Sequence, residues 1–508
     1  MSVIYIDGES LNIEDVVKVA RQNNKVDLTE EATIRIEQAR KVVDEFVDNE
    51  KVVYGITTGF GKFSDVAISK EETQDLQTNL IMSHACGVGN PLDEEVSRAI
   101  MLLRVNALAK GFSGIRLSTL KVLIDMLNRG VHPLIPEKGS LGASGDLAPL
   151  SHMVLVMLGM GEAIYRGEKL SGKVAMERAG IKPIRLTSKE GLALINGTQV
   201  MTAIGSLTLY DAIGVMKMAD ISASMTLEAL RGITDAFDLR IHALRPHKGQ
   251  GDSAGNLLKI TEGSRLTTKQ GEIRVQDAYS LRCTPQIHGA SKDTIEYVLN
   301  KINIEINSVT DNPIIFSDEK DVISGGNFHG QPMALAFDFL GIAISEIANV
   351  SERRIERLVN PQLSGLPAFL TEKGGLNSGF MIAQYSAAAL VSENKVLAHP
   401  ASVDSIPSSA NQEDHVSMGT IAARKARDIL ENTINVLAIE ILAAAQAIDF
   451  SDSEELGNGT KTAYEIVREN VATLHEDRVM YVDINKCAEL IKKHIIVDKV
   501  ENSIGKLN

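Results

Sequence analysis

The chain has 508 residues, of which 44% are hydrophobic and 23% charged, and its mean hydropathy is zero. These values are typical of a globular protein with a large core and exclude a disordered chain. The formal net charge of -14 argues against nucleic acid or an anionic membrane as a partner. Only 13 prolines, 4% aromatic residues and no tryptophan favour a helix-rich protein whose core consists of Leu, Ile, Ala and Met.

The N-terminus and the cysteines predict a cytoplasmic protein. The chain shows no basic start followed by an apolar stretch, as a secretory signal would have. The longest apolar run, from Leu147 to Gly161, is too short to span a bilayer. Cys86, Cys283 and Cys487 are scattered and odd in number, which predicts reduced thiols. No histidine near them repeats with the spacing of a structural zinc site, so we expect no metal.

The predicted elements change in character near residue 200. Residues 1–200 hold most of the glycine punctuation and predict a loop-rich N-terminal domain. Within it, the sequence from Asp27 to Glu31 is typical of a helix start, and an apolar helical pattern continues from Arg104 to Lys110. Residues 201–508 instead show long helical runs, which predict a long-helix bundle followed by C-terminal helices.

Three long runs carry this second prediction. Apolar residues recur at helical spacing from Met333 to Leu358, and Pro361 ends that helix. Two further helices are predicted from about Ser417 to Ala447 and from about Gln286 to Ser308. Their broad, Ala-rich faces exceed what one chain needs to cover, which favours an oligomer.

An unusual loop lies between Gly139 and Pro149, a stretch of eleven residues that contains three glycines and two serines. Such density predicts a turn with uncommon backbone angles. If the chain doubles back tightly, the Gly145 amide nitrogen meets the Ala143 carbonyl carbon. Ring closure with loss of water, followed by loss of the Ser144 hydroxyl as a second water, leaves a five-membered ring with an exocyclic methylene. This ring is an electrophile that no ordinary side chain supplies.

The same loop has two other interpretations. A glycine-rich connector without chemistry is the simplest, since Ala-Ser-Gly alone is a common tripeptide. A nucleophile elbow requires Gly-x-Ser-x-Gly, and Asp146 stands where the last glycine would be.

The longer string, from Gly139 to Leu150, closely resembles the signature of the aromatic amino acid ammonia-lyases. In that family Ala-Ser-Gly cyclises by itself to 4-methylidene-imidazol-5-one (MIO). The resemblance implies that Ala143, Ser144 and Gly145 form this cofactor here and that no soluble cofactor is needed. It also implies a mainly α fold of the fumarase/aspartase-like superfamily, with the MIO loop in the N-terminal domain.

A glycine-rich string, Tyr54-Gly-Ile-Thr-Thr-Gly-Phe-Gly61, precedes the loop. A phosphate loop is disfavoured, because five residues separate Gly55 from Gly61 and Phe63 follows Lys62. The string resembles the lid of the same family, which implies that Tyr54 is the base that removes the β-proton. Since a tyrosine has a pKa near ~10, its anion must be stabilised by the site. Flanking glycines would let such a lid open and close.

Two further strings match the family's motifs. Asn196-Gly-Thr alone predicts a turn, and the resemblance implies that Asn196 orients the ring carbonyl. In the string from Gln276 to Cys283, Tyr279 and Arg282 lie three residues apart and share a helix face. Arg282 offers a planar, bidentate partner for an amino acid carboxylate, and the resemblance implies this role for it. Gln276 and Tyr279 would then line the ring.

The last two strings lie near residues 327 and 413. Gly-Asn327-Phe328-His-Gly alone predicts a turn before a helix, and the resemblance places Asn327 and Phe328 beside the electrophile. The acidic string from Ser408 to His415 is compatible with a surface loop, whereas the resemblance places Gln412 and Glu413 in the active site.

Two positions bear on the substrate. The segment around His84 matches the place where family members select their substrate, and Glu413 lies in the second such segment. An unpaired buried carboxylate beside a phenyl ring is costly, whereas an imidazole offers two nitrogens to a carboxylate and a histidine. The sequence therefore predicts L-histidine as substrate and trans-urocanate as product. Whether Glu413 also transfers protons stays open, as does whether the MIO methylene bonds to the amine or the imidazole.

Three alternatives remain. An aminomutase of the same family would return the ammonia to the β-carbon. A helical oligomer without catalysis would keep Ala143-Ser144-Gly145 uncyclised. A fumarase-like lyase is disfavoured, because the Gly-Ser-Ser-x-Met-Pro-x-Lys-x-Asn loop is absent. The family forms tetramers with active sites shared between subunits, so the resemblance implies a homotetramer.

Overall fold

The computed structural model describes residues 3–49, 53, 56, 58 and 73–508. Helices dominate this part of the chain, so the predicted mainly α fold is confirmed. Its α-helices are α1 (Ile13–Gln22), α2 (Glu30–Asp48), α3 (Thr73–His84), α4 (Glu94–Ala109), α5 (Leu117–Arg129), α6 (Leu147–Met157), α7 (Gly172–Arg178), α8 (Glu190–Ile195), α9 (Gln199–Ala229), α10 (Leu239–Ala243), α11 (Lys248–Ile260), α12 (Tyr279–Arg282), α13 (Thr284–Glu305), α14 (Gln331–Val359), α15 (Pro361–Ser364), α16 (Met381–Leu397), α17 (Gly419–Ile448), α18 (Asn458–Asn470), α19 (Met480–Lys492) and α20 (Ile495–Ile504).

The strands are short and form small separate sheets. A parallel pair joins β1 to β2, antiparallel pairs join β3 to β5 and β8 to β9, and the order of the three-stranded sheet is β4-β6-β7. Their bounds are β1 (Val3–Ile6), β2 (Lys25–Leu28), β3 (Val88–Pro91), β4 (Val131–Pro133), β5 (Pro136–Lys138), β6 (Glu162–Tyr165), β7 (Glu168–Ser171), β8 (Ile314–Phe316) and β9 (Asp321–Ile323).

The predicted helices are present near their expected bounds. Thr29 caps α2, because its side chain accepts a hydrogen bond from Ala32 N at 3.2 Å. The three long runs correspond to α13, α14 and α17. Pro361 indeed ends α14, since the next helix begins at that proline after Asn360.

By compactness the chain forms two units. The first comprises Met1–Tyr210, Leu299–Asp338 and Pro400–Arg424, and the second comprises Asp211–Val298, Phe339–His399 and Lys425–Asn508. The domain division at residue 200 stays a prediction.

The long helices are strongly apolar. Nearly every residue of α9 is buried, which is why its sequence lacks a polar face. Among the described residues, α14 is the one helix long and apolar enough to cross a membrane, and 67% of its most apolar window is buried inside the protein. This burial is typical of a core helix in a bundle.

A network of buried charges holds helices together in the second unit. Asp220 on α9 accepts hydrogen bonds from His288 Nδ1 at 2.7 Å and from Lys292 Nζ at 2.8 Å, both on α13. Arg354 on α14 and Glu440 on α17 form a bidentate pair with N–O distances of 2.5 and 2.9 Å. Because both partners are fully buried, each charge depends on the other.

Candidate active site

The loop between Gly139 and Pro149 lies in the first unit, immediately before α6. Gly145 has a left-handed backbone with φ of +71°, and Gly142 has φ of +68°. A Cβ atom on Gly145 would overlap the Gly197 carbonyl. The loop and the Asn196-Gly-Thr turn therefore touch backbone to backbone, and only glycine fits at position 145.

Asp146 attaches this loop to the start of α9. Its buried carboxylate accepts hydrogen bonds from Val200 N at 3.0 Å and Met201 N at 2.9 Å, and from the Ser140 and Thr420 hydroxyls. Burial raises the pKa of Asp146, although these donors act in the opposite direction. Placing a carboxylate at the N-terminus of a long helix is favourable, and it fixes the residue next to Gly145.

A second segment holds the loop from the other side. Ser417 Oγ donates to the Gly142 carbonyl at 3.0 Å, and Met418 N donates to the Leu141 carbonyl at 3.0 Å. With Asp146, these bonds leave the tripeptide Ala143–Gly145 fixed at both ends.

Glu413 contacts the tripeptide directly. Ser144 Oγ donates to Glu413 Oε1 at 3.1 Å, and Ser408 Oγ donates to Oε2 at 2.9 Å. Ser144 and Glu413, which both belong to predicted site strings, are therefore in direct contact within the first unit.

His84 is the second residue of the predicted ring-binding pair. It is the last residue of α3, and Ser83 Oγ lies 3.1 Å from its Nδ1. Burial lowers the pKa of His84, and the nearby Glu413 carboxylate acts against this shift. The structure therefore brings His84 and Glu413 within electrostatic range of each other, with His84 favoured as the neutral imidazole.

Asn196 directly precedes Gly197, which contacts the loop, and three residues hold it by hydrogen bonds. Its carbonyl accepts from Arg104 Nη1 at 2.7 Å, and its Nδ2 donates to the Asn312 carbonyl at 3.1 Å and more weakly to Asp311 at 3.4 Å. The buried Oδ1 has no hydrogen-bond partner among the described residues. Lys189 Nζ in turn binds Asp311 at 2.7 Å, so a buried ionic pair supports the turn.

The fourth and fifth predicted strings lie together. His329 stacks on His415 with ring centroids 5.6 Å apart, and a Cβ on Gly330 would contact Ser417 Oγ at 2.8 Å. Phe328 is half-buried and Gln412 exposed. Both strings thus reach the segment that holds the loop.

Gln276, Tyr279 and Arg282 lie in the second unit. The Arg282 guanidinium lies over the Tyr279 ring, 4.7 Å from its centroid, as the three-residue spacing predicts. Arg282 Nε is buried and has no hydrogen-bond partner within residues 73–508 or the other described parts. Gln276 and Tyr279 are exposed. Tyr54, the predicted base, lies outside the described residues.

Three residues of the site escaped the sequence analysis: Arg104, Asp146 and Ser408. Asp146 directly precedes α6, where an acidic residue is typical of an N-cap, but its side chain makes no cap bond to α6. It binds the first turn of α9 instead, a contact that no local signal announces. Arg104 stands alone among apolar residues of a predicted helix, which is the usual sign of a buried, paired charge. Ser408 gave no signal, because its role depends on a contact with Glu413.

Comparison with known proteins gives consistent matches. The family model for aromatic amino acid lyases matches residues 11–469. The chain is 71% identical over 504 residues to the histidine ammonia-lyase of Alkaliphilus oremlandii, and the alignment covers 99% of each chain. It is similar to the solved structure of histidine ammonia-lyase from Trypanosoma cruzi, with 44% identity and a TM-score of 0.93 over 99% of this chain and 96% of that one. A tyrosine aminomutase from Streptomyces globisporus shows 40% identity and a TM-score of 0.96 over 100% of both chains.

Proposed function

Because this chain belongs to the aromatic amino acid lyase family, we propose that it is a carbon–nitrogen lyase that eliminates ammonia from L-histidine and releases trans-urocanate, the first step of histidine degradation. The observation that carries the choice of substrate is the position of Glu413. Its carboxylate contacts Ser144 and lies within electrostatic range of His84. A carboxylate and a neutral imidazole together suit the two nitrogens of a histidine ring better than a bare phenyl ring.

The electrophile in this proposal is MIO, formed from Ala143, Ser144 and Gly145. The Gly145 nitrogen bonds to the Ala143 carbonyl carbon, and that carbonyl oxygen leaves as water with the two amide hydrogens of Ser144 and Gly145. The Ser144 hydroxyl then leaves with the hydrogen on Ser144 Cα as a second water. The residues present fit this group, since Gly145 has a left-handed backbone that is pressed against Gly197 and the loop is fixed at both ends.

MIO supplies an electrophilic carbon that makes ammonia a better leaving group. The chain's own residues bind and orient the substrate around it. We assign to Arg282 the substrate carboxylate, because its buried Nε is without an acceptor among the described residues and guanidinium binds carboxylate bidentately. Tyr279 and Gln276 line the ring, and Tyr54 accepts the β-proton.

The remaining assignments concern the loop's neighbours. Asn196 orients the ring carbonyl, supported by its fixed position beneath the loop. Phe328 and Gln412 line the substrate pocket, and Glu413 binds the imidazole.

The assembly in this proposal is a cytoplasmic homotetramer in which each active site draws on more than one subunit. The family resemblance supports the tetramer. Three free cysteines, Cys86, Cys283 and Cys487, support a reducing compartment.

The test mixes the purified protein with L-histidine, L-phenylalanine or L-tyrosine and follows the absorbance of the unsaturated product, with Ser144→Ala alongside. We expect a rise at the urocanate band with L-histidine alone. The Ser144→Ala variant should lose roughly a thousandfold or more in rate, about 4 kcal/mol in the barrier, and its intact mass should not show the loss of two waters. Product from L-phenylalanine or L-tyrosine instead would contradict the substrate assignment but keep the electrophile.

A second candidate is an aminomutase, which the likeness to the tyrosine aminomutase at 40% identity favours. It would return ammonia to the β-carbon. Chromatography of the reaction products distinguishes the two, because only the aminomutase accumulates a β-amino acid.

A further inference from the structure

The two oxygens of Glu413 have different donors. Oε1 accepts from the Ser144 hydroxyl at 3.1 Å, and Oε2 accepts from the Ser408 hydroxyl at 2.9 Å. Both donors are neutral hydroxyls, so neither brings a counter-charge to the carboxylate. A lysine or arginine in the place of Ser408 would instead neutralise it.

Ser408 is held opposite Glu413 by the backbone. Ser408 N donates to the Glu413 carbonyl at 2.9 Å, and Glu413 N donates to the Ser408 carbonyl at 3.3 Å. The turn between them has three consecutive left-handed residues, Ser409, Ala410 and Asn411, with φ of 51°, 53° and 66°. A left-handed backbone is unfavourable for a residue with a side chain, so the turn persists only because its ends are tightly fixed. The Ser408 hydroxyl is therefore a fixed partner of Oε2.

Only one of the two hydroxyl donors remains after the ring has formed. Formation of the ring removes the Ser144 hydroxyl as water, together with the hydrogen on Ser144 Cα. The Ser408 hydroxyl takes no part in that reaction and stays. One oxygen of Glu413 thus loses its protein donor when the ring forms, whereas the other keeps it.

We propose that Ser408 is a positioning residue that holds Oε2 of Glu413, so that Oε1, released when the Ser144 hydroxyl is lost, accepts the N–H of the substrate imidazole. The inference rests on the function proposed above. Before the ring forms, the Ser144 hydroxyl donates to Oε1 of Glu413. After the ring has formed, the imidazole N–H of the substrate donates to the same oxygen. Without Ser408 the carboxylate rotates, and Oε1 spends less time facing the substrate.

The experiment compares Ser408→Ala with Ser409→Ala. Ser409 is the adjacent residue of the same strained turn, it is exposed, and its hydroxyl makes no hydrogen bond within the described part of the chain. Intact mass first establishes that each variant has lost two waters and carries the ring. We expect kcat/KM for L-histidine to fall roughly tenfold to a hundredfold in Ser408→Ala, mainly through a higher KM, as for a lost hydrogen bond to a charged group. Ser409→Ala should equal the unmodified protein.

A pair of isosteric variants separates the hydroxyl from the fold. Ser408→Thr keeps the donor and should retain activity, whereas Ser408→Val has the same shape without it and should behave like Ser408→Ala. This pair shows whether the hydroxyl donor at position 408 is needed, even if the alanine variant does not fold. Equal kcat/KM for the threonine and valine variants would overturn the inference, as would loss of the ring in Ser408→Ala. Absence of urocanate from the unmodified protein would instead refute the proposed function.

Discussion

Glu413 and Glu440 are two glutamates in different regions of the molecule, and their carboxylates accept hydrogen bonds from different kinds of donor. Glu440, in the second unit, is fully buried and accepts two hydrogen bonds from Arg354, one from Thr226 at 2.9 Å and one from Ser351 at 2.6 Å. Glu413, in the first unit, is half-buried and receives its hydrogen bonds from two serine hydroxyls. The four hydrogen bonds to Glu440 occupy the lone pairs of its carboxylate, and Arg354 supplies the counter-charge.

This difference separates a structural carboxylate from the one that we propose to bind the substrate. Saturating Glu440 with donors makes it inert and ties α17 to α14, since no acceptor is left for a ligand. Glu413 is bound by two serine hydroxyls, and neither donor brings a counter-charge. The same contrast predicts where identical substitutions should affect stability and where they should affect catalysis.

The largest effect is expected for Glu440→Gln, which leaves the buried Arg354 without its counter-charge. Breaking a buried ion pair costs about 3–5 kcal/mol in the free energy of unfolding, measured by urea titration. Glu431→Gln on the same helix is the control. Its carboxylate is half-exposed and pairs with Lys492, so the expected cost is below ~1 kcal/mol. If both variants were equally stable, Glu440 would not hold the helices together.

A smaller effect is expected at Glu228, another buried carboxylate of the second unit. Burial raises its pKa from 4.5 to about 7. The folded protein then holds a proton that the unfolded chain has released, so this contribution to stability is present below the unfolded pKa and is lost as the pH rises through the folded one. Glu228→Gln should remove up to about 3 kcal/mol of pH dependence between about pH 4.5 and 7, measured as unfolding free energy against pH. An unchanged pH profile in the variant would contradict this assignment.

The smallest change in stability is expected for Glu413→Gln, which sharpens the comparison with Glu440. The amide keeps the shape but is a weaker acceptor, so kcat/KM for L-histidine should fall about a hundredfold, whereas the unfolding free energy should change by less than about 1 kcal/mol. Steady-state kinetics and urea titration on the same preparation measure both quantities. A large loss of stability with unchanged kinetics would reverse the roles of the two glutamates.

The features that could be predicted from the sequence are those that depend on neighbouring residues. The cap at Thr29, the long runs α13, α14 and α17 and the break at Pro361 depend on local spacing, and the structure confirms them. The string from Gly139 to Leu150 predicted the aromatic amino acid lyase family because its motif is contiguous, and the family model that matches residues 11–469 confirms that family.

What could not be predicted depends on residues far apart in the chain. Asp146 meets α9 about 54 residues later, a contact that the sequence did not suggest. Glu413 reaches Ser144 across 269 residues, and only the family resemblance, not a local pattern, placed the two in one site. Ser408 acts only through Glu413, and its hydroxyl has no local pattern to reveal it. No periodicity encodes such contacts, because they arise from packing between elements.

The bond from Ser417 to Gly142 joins residues 275 positions apart, and this sets an order of events in biosynthesis. The loop leaves the ribosome long before the segment that holds it. At ordinary rates of synthesis the interval is on the order of tens of seconds. During that time the tripeptide lacks one of its two supports. Ring closure, which the function proposed above requires, would therefore have its full support only after the segment around Ser417 has been made and has folded against the loop.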